Sequence, residues 1–352
     1  MNKVCVILGA GASSDVHNDG SRLIDEKLKP PLARELFDIK HREAFWEFIN
    51  EYEGARFFAS LLEPVLSSGE RSIEQKLREY AGHKDPSIRK HFKDVPPYLR
   101  DLLQAVSNRY TYVPGNYIRL NYELLSEHQH EVIFIVLNYD TFLEKALTIY
   151  DKKNYRFSDI NEYVVPSRQA NIIKLHGSVN WFWRIPNSGS GDWKDVVAKY
   201  DVFDHQATRD ILLLNGERTY NVRTPNKSDF VYPVITAPLA RKNISDSVCP
   251  GDHINAAKLF LKGCHKFLII GTSGLDEDLL SHLNTMVGAG PHFLHIVDTT
   301  RDNAQKVLSR FQNGVKGLRG AILSRGSGVT FGDGFQKYLS SHDFMEFVKY
   351  DI

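Results

Sequence analysis

The chain has 352 residues, enough for about two domains of ordinary size and a large buried core. Its 44 Lys and Arg against 43 Asp and Glu give a formal net charge of +1, which excludes a surface that is basic throughout in the manner of a nucleic-acid or membrane binder. Hydrophobic residues at 42% and charged residues at 25% exclude a disordered or fibrous chain. Three cysteines, Cys5, Cys249 and Cys264, with no CxxC spacing exclude a disulfide framework, so a soluble, cytoplasmic protein is expected.

In chain order, the first predicted strand is Val4–Leu8, an apolar run too short for the core of a signal peptide. It runs into Gly9-Ala10-Gly11-Ala12-Ser13-Ser14. Residues 20–125 carry amphipathic patterns such as Arg34-Glu35-Leu36-Phe37 and Ala44-Phe45-Trp46-Glu47-Phe48-Ile49. A span of about 100 residues far exceeds one crossover connection, so a helical insertion is predicted after the first strand. Val132–Leu137 is the longest apolar run, far below the roughly 20 residues of a membrane span; it leads into Asn138-Tyr139-Asp140. Asn171–Leu175 leads in the same way into His176-Gly177-Ser178. Residues 182–230 show little pattern beyond a turn at Pro186–Gly191 and read as an irregular insertion. Val231–Thr236 reads as a further strand, Lys266–Ile270 runs into Gly271-Thr272-Ser273-Gly274, and Phe293–Val297 ends at Asp298. From 319 onward a C-terminal extension holds a strand candidate, Gly320–Leu323, and a terminal helix around His342–Val348.

Strand, tight turn and helix in repetition predict an α/β fold: a Rossmann-like, mainly parallel sheet with helices on both faces. The core is expected over 1–19, 126–181 and 231–318. In such sheets ligands bind outside the carboxyl ends of the strands, where every motif above falls.

Each motif has a chemical and a structural reading. Gly9 and Gly11 would let the backbone approach a pyrophosphate at a helix N-terminus, or simply make a tight turn. Ser14 stands where a dinucleotide fingerprint has its third glycine, and no acidic-ended strand follows about 20 residues on, so a hydride-transferring dehydrogenase is not supported. Asn138 offers donor and acceptor to ribose hydroxyls or a water, and Asp140 could hold a neighbour in place; both are also ordinary turn and capping residues. His176 titrates near neutrality and suits a general base. Thr272 and Ser273 could bond phosphate or ribose, or start the next helix. Asp298 could accept from an adenosine hydroxyl, or cap.

Taken together, GAGAS, LNYD, KLHG and GTSG, in that order, resemble the sirtuin superfamily, with its GAGxS turn, QNxD-type segment, catalytic HG and GTS turn. The resemblance covers roughly 1–20, 130–180 and 231–300 and leaves both insertions unmatched. It implies NAD as the bound substrate. Gly9, Ala10, Gly11, Ala12 and Ser13 would contact the pyrophosphate and the adenosine-side ribose. Asn138 and Asp140 would sit beside the nicotinamide ribose, with His176 as general base. Gly271, Thr272, Ser273 and Asp298 would line the adenosine side.

Two departures refine what the resemblance implies. Deacylases of the superfamily carry a four-cysteine zinc module between the HG and GTS motifs; here that interval holds only Cys249 and Cys264, so no zinc is expected. The GIPDFR-like segment is replaced by Ser14-Asp15-Val16-His17-Asn18-Asp19-Gly20. Zinc-free relatives with a helical insertion resemble the domains of bacterial antiviral systems. The expected activity is an NAD glycohydrolase acting as the toxic effector of abortive infection. The alternatives are an NAD-dependent deacylase or ADP-ribosyl transferase, and a non-catalytic NAD or ADP-ribose binding scaffold. The chain has no P-loop, zinc-finger or HExxH spacing. The resemblance therefore implies a homo-oligomer of the chain and a separate sensor, a HerA-type translocase ATPase before an Argonaute-like protein, with no membrane and no direct nucleic-acid binding without that partner.

Overall fold

The computed structural model describes residues 2–15, 29–32, 35–37, 46–68, 76–77, 79–80, 83–109, 115–185, 191–199, 210–224, 229–235, 248–319 and 330–350. The first strand, β1 (Lys3–Leu8), leads into a single helical turn, α1 (Ala10–Ser14). A helical region follows: α2 (Trp46–Glu51), α3 (Glu53–Ser68), α4 (Pro86–Phe92), α5 (Val95–Arg109) and α6 (Gly115–Asn121), the last continued by a π-helical turn over Tyr122–Glu127. The chain then re-enters the sheet with β2 (Glu131–Val136), α7 (Phe142–Tyr150) and β3 (Ala170–Lys174).

β4 (Gly177–Ile185), α8 (Trp193–Lys199), β5 (Ile211–Leu213) and β6 (Phe230–Ile235) come next. The chain closes with α9 (Gly251–Leu261), β7 (Lys266–Ile270), α10 (Glu277–Met286), β8 (Phe293–Val297), α11 (Arg301–Gly314), β9 (Thr330–Phe331), α12 (Gly334–Leu339) and α13 (His342–Lys349).

Six strands form one parallel sheet in the order β3-β2-β1-β7-β8-β9. Numbered along the sheet this is 3-2-1-4-5-6, the doubly wound order of Rossmann-like folds. Apolar residues fill both faces, as a parallel sheet covered on each side requires. Val4, Val6 and Leu8 of β1 and Val132, Phe134 and Val136 of β2 point into the cluster shared with the helical region, α12 and α13. Cys5, Ile7, Ile133 and Ile135 point into the opposite cluster, with α9, α10 and α11. Each fully buried aliphatic side chain contributes roughly 1.5–3 kcal/mol.

The expected further strand lies elsewhere. Phe230–Ile235 belongs to a separate antiparallel sheet, β5-β4-β6. All six of its residues are buried, so its hydrophobic pattern is that of a parallel core strand. The sixth strand of the parallel sheet is β9, from the C-terminal extension, which pairs Thr330 and Phe331 with Ile296 and Val297. The 182–230 region is less irregular than its sequence suggests, because β4 continues through Trp181-Phe182-Trp183 and takes β5 and β6 as neighbours. Gly320–Leu323 lies outside the described residues, and the terminal helix forms as expected.

A fully buried ion pair ties the helical region to the second sheet. Arg100 on α5 bonds Asp101 at 3.1 Å and donates to Val179 O at 2.9 Å and Gly216 O at 2.6 Å. Asp101 in turn accepts from Tyr52 Oη at 2.6 Å and from Thr219 Oγ1 at 2.7 Å. Among the described residues, no helix is long and apolar enough to cross a membrane.

Candidate active site at the carboxyl edge of the parallel sheet

The strand order reverses between β1 and β7, and there two turns interlock. Gly9 N–H donates to Ile270 O at 2.9 Å, and Gly11 N–H to Gly271 O at 2.8 Å. A Cβ at Gly9 would lie 2.5 Å from Gly271 O. Gly271 has φ +63°, and a Cβ there would lie 2.2 Å from Ala12 N. Gly9, Gly11 and Gly271 are thus required by the packing of the two turns against each other, independently of any ligand. Gly177 is glycine for a similar reason: at φ +80° its Cβ would meet Val234 O of β6 at 1.9 Å.

Ser13, buried on α1, is the hub of the next group. Its Oγ donates to Asp140 Oδ2 at 2.6 Å, accepts from Asn138 Nδ2 at 2.8 Å, and lies 2.9 Å from Tyr117 Oη of α6. With its one proton committed to Asp140, Ser13 accepts from Tyr117, whose hydroxyl is kept protonated by burial and by the nearby Asp140. Asp140 Oδ1 accepts from Phe142 N–H at 3.1 Å, so both its oxygens serve the turn. Asn138 is buried, yet its Oδ1 has no hydrogen-bond partner among the described residues.

One strand further out, β3 ends in Lys174 and delivers His176. Lys174, fully buried, donates to the carbonyl of Asp140 and to Glu144 Oε1 of α7 at 3.0 Å, holding the turn after β2 from below. His176 is 9% exposed and pairs through Nε2 with Asp276 Oδ2 at 2.5 Å. Its ring lies 6.4 Å from that of Tyr139. On the other side, Thr272 Oγ1 and Ser273 Oγ each accept a backbone N–H at 3.3 Å, from Gly274 and Leu275. Asp298 follows β8, whose Val297 O accepts Gly271 N–H at 3.0 Å; its Oδ1 accepts from Thr299 N–H at 2.7 Å.

The expected residues therefore share one edge of one sheet. Ser13, Asn138 and Asp140 touch directly, Gly9 and Gly11 pack on Gly271, and His176 and Asp298 stand one strand out on either side. Sequence reasoning missed Asp276, Tyr117 and Lys174. Asp276 reads as a helix cap, a role it also has; nothing local signals its pairing with a residue 100 positions away. Tyr117 belongs to the helical region that the motifs pass over.

The three cysteines are buried, and burial pushes the Cys264 thiol up to about 12. Among the described residues, the three-ligand cluster His342, Asp343 and Glu346 lies on α13. The end of that helix packs by the amino ends of β2 and β7, where Val348 O meets His130 and Lys266, away from the strand ends above.

The family model of the SIR2-like domain matches residues 132–306, just under half of the chain. No curated protein matches the chain. Three solved structures align along most of its length. A Sir2 homologue mutant in complex with 2'-O-acetyl ADP ribose is 12% identical over 92% of this chain and 95% of that one, with a TM-score of 0.37. A structure concerned with sirtuin substrate affinity is 15% identical over 84% and 82%, with a TM-score of 0.33. A third, concerned with the mechanism and regulation of Sir2 enzymes, is 13% identical over 90% and 93%, with a TM-score of 0.36. The α/β fold stands on the strand order and parallel register of the chain itself. Over the segment that holds Asn138, Asp140, His176, Thr272, Ser273 and Asp298, the chain is similar to a SIR2-like domain.

Proposed function

We propose that the chain is an NAD glycohydrolase, cleaving the bond between nicotinamide and ribose with water as acceptor. The observation that carries the reading is the delivery of Asn138 and His176 by two adjacent parallel strands, beside the interlocked turns of β1 and β7. The fit to a ribose is carried by the Asn138 carboxamide: its Nδ2 is held by Ser13, and its buried Oδ1 has no partner among the described residues. Such an acceptor suits a sugar hydroxyl or an attacking water.

In this reading the nicotinamide leaves neutral, taking the bonding electron pair onto its ring nitrogen, so no general acid is needed. Asn138 orients the oxocarbenium-like ribose, and His176 accepts the proton of the incoming water. Asp140 acts through the turn it organises, since its oxygens are committed to Ser13 and Phe142. Thr272, Ser273 and Asp298 would take the adenosine side, and Gly9–Ser13 would flank the pyrophosphate.

The proposal extends to the setting. The chain would be the NAD-depleting effector of an antiviral assembly, self-associated and licensed by a separate HerA-type ATPase. Support comes from the four-motif resemblance and from the helical region inserted between β1 and β2. Mass spectrometry of the products tests the acceptor: nicotinamide with free ADP-ribose supports hydrolysis, whereas acyl-ADP-ribose or ADP-ribosylated protein would replace it with a transferase.

A further inference from the structure

We propose that Asp276 is the positioning residue of His176, fixing which imidazole nitrogen is basic and stabilising the imidazolium when that nitrogen takes a proton. The inference rests on the reading of His176 as general base and adds a residue outside the four motifs.

The geometry begins with how firmly Asp276 is held. It is the N-cap of α10, with extended backbone at φ −74° and ψ 102°, and its Oδ1 accepts Leu279 N–H at 2.8 Å. That bond turns the second oxygen, Oδ2, onto His176 Nε2 at 2.5 Å. A carboxylate at the start of a ten-residue helix is favoured as the anion by the unpaired N–H groups and the helix dipole. An ionised carboxylate only accepts, so Nε2 must carry the proton and Nδ1 the basic lone pair. In the hydrolase reading, Nδ1 is then the nitrogen that takes the proton.

Among the described residues, the surroundings favour a single positive charge at this spot. Both side chains are mostly buried, at 11% and 17% exposed, which strengthens a charge-assisted bond. His282, on the same helix, also lies near Asp276, Asp278 and His176, and burial holds its imidazole below the ordinary range. It stays neutral near pH 7 and does not compete for the carboxylate's field. Tyr139, after β2, faces the His176 ring as an uncharged neighbour.

The test uses D276N and D276S. Both replacements remain good helix caps, Asn keeps the shape without the charge, and Ser is too short to reach His176. In the substrate-free full-length chain, the His176 imidazole is titrated by NMR with ring nitrogens labelled. The wild type is expected to show the Nε2-protonated tautomer, and both variants a His176 pKa lower by about 1–3 units. With NAD, kcat near pH 7 is expected to fall about 10- to 100-fold while KM changes little, and the pH profile of D276N should change with the titration. An unshifted titration in both variants overturns the pairing, whatever the activity. A shifted titration in a chain that never cleaves NAD upholds the pairing and overturns the hydrolase reading on which its catalytic use rests.

Discussion

Ser13 and Asn138, 125 residues apart, are joined at 2.8 Å, and that bond decides which way the Asn138 carboxamide faces. Ser13 gives its proton to Asp140, so it can only accept from Asn138, and Nδ2 must point inward. Oδ1 is then the buried acceptor left with no partner among the described residues. A serine outside the expected catalytic residues His176, Asn138 and Asp140 thereby sets the chemistry that the asparagine offers.

Ser13→Ala removes the Ser13 Oγ acceptor of Asn138 Nδ2 and the donor to Asp140 Oδ2. The expected loss is about 1–3 kcal/mol in urea denaturation, with a parallel fall in NAD turnover. Tyr117→Phe, which removes one donor to Ser13, should cost less on both counts. Equal turnover in wild type and Ser13→Ala would show that the carboxamide needs no such anchor.

Gly271→Ala tests the interlocked turns. The φ of +63° alone costs roughly 1–3 kcal/mol for a residue with a Cβ, and the contact with Ala12 N at 2.2 Å adds to it. The expected result is a large drop in Tm. A variant as stable as the wild type would mean that the two turns separate at little cost.

Asp101→Ala tests how the helical region is held. It strands the fully buried Arg100, whose guanidinium already has its pKa lowered by burial, and it leaves Tyr52 and Thr219 without their acceptor. Loss of one partner of a buried pair costs about 3–5 kcal/mol. Denaturant unfolding within about 1 kcal/mol of wild type would contradict this account of the clasp.

Acid should destabilise the chain well before its carboxylates titrate. Burial lowers His130 and His253 to about 4 and His295 to about 3, with Lys266 contributing at His130 and His295. Their unfolded values lie near 6.5, so between about pH 6.5 and about pH 4 the unfolded state binds more protons. Stability is then fully present above about pH 6.5 and is lost as pH falls, by roughly 1.4 kcal/mol per pH unit for each group in the middle of the window. Calorimetric Tm should fall between about pH 7 and about pH 5; a flat profile would falsify the buried-neutral assignment.

The parallel core was readable because its strands are short β-branched runs that each end in a small or polar turn, as in Val4–Leu8 before Gly9. Phe230–Ile235 shares that composition, and only its partners show that it is antiparallel; hydrophobic period cannot separate two kinds of fully buried strand. At the site, Asn138, Asp140 and His176 announced themselves by residue type at strand ends. Asp276 and Lys174 did not. One is a helix cap and the other sits inside an apolar run, and each gains its second role only when distant segments pack.

The most direct measurement is chromatography of NAD incubated with the purified chain, beside His176→Ala and Asn138→Ala, and again with an assembled HerA-type partner. Nicotinamide and ADP-ribose are expected from the wild type and none from either variant, with all three folded by circular dichroism. NAD left intact by the assembled wild type, or cleaved equally by His176→Ala, would contradict it.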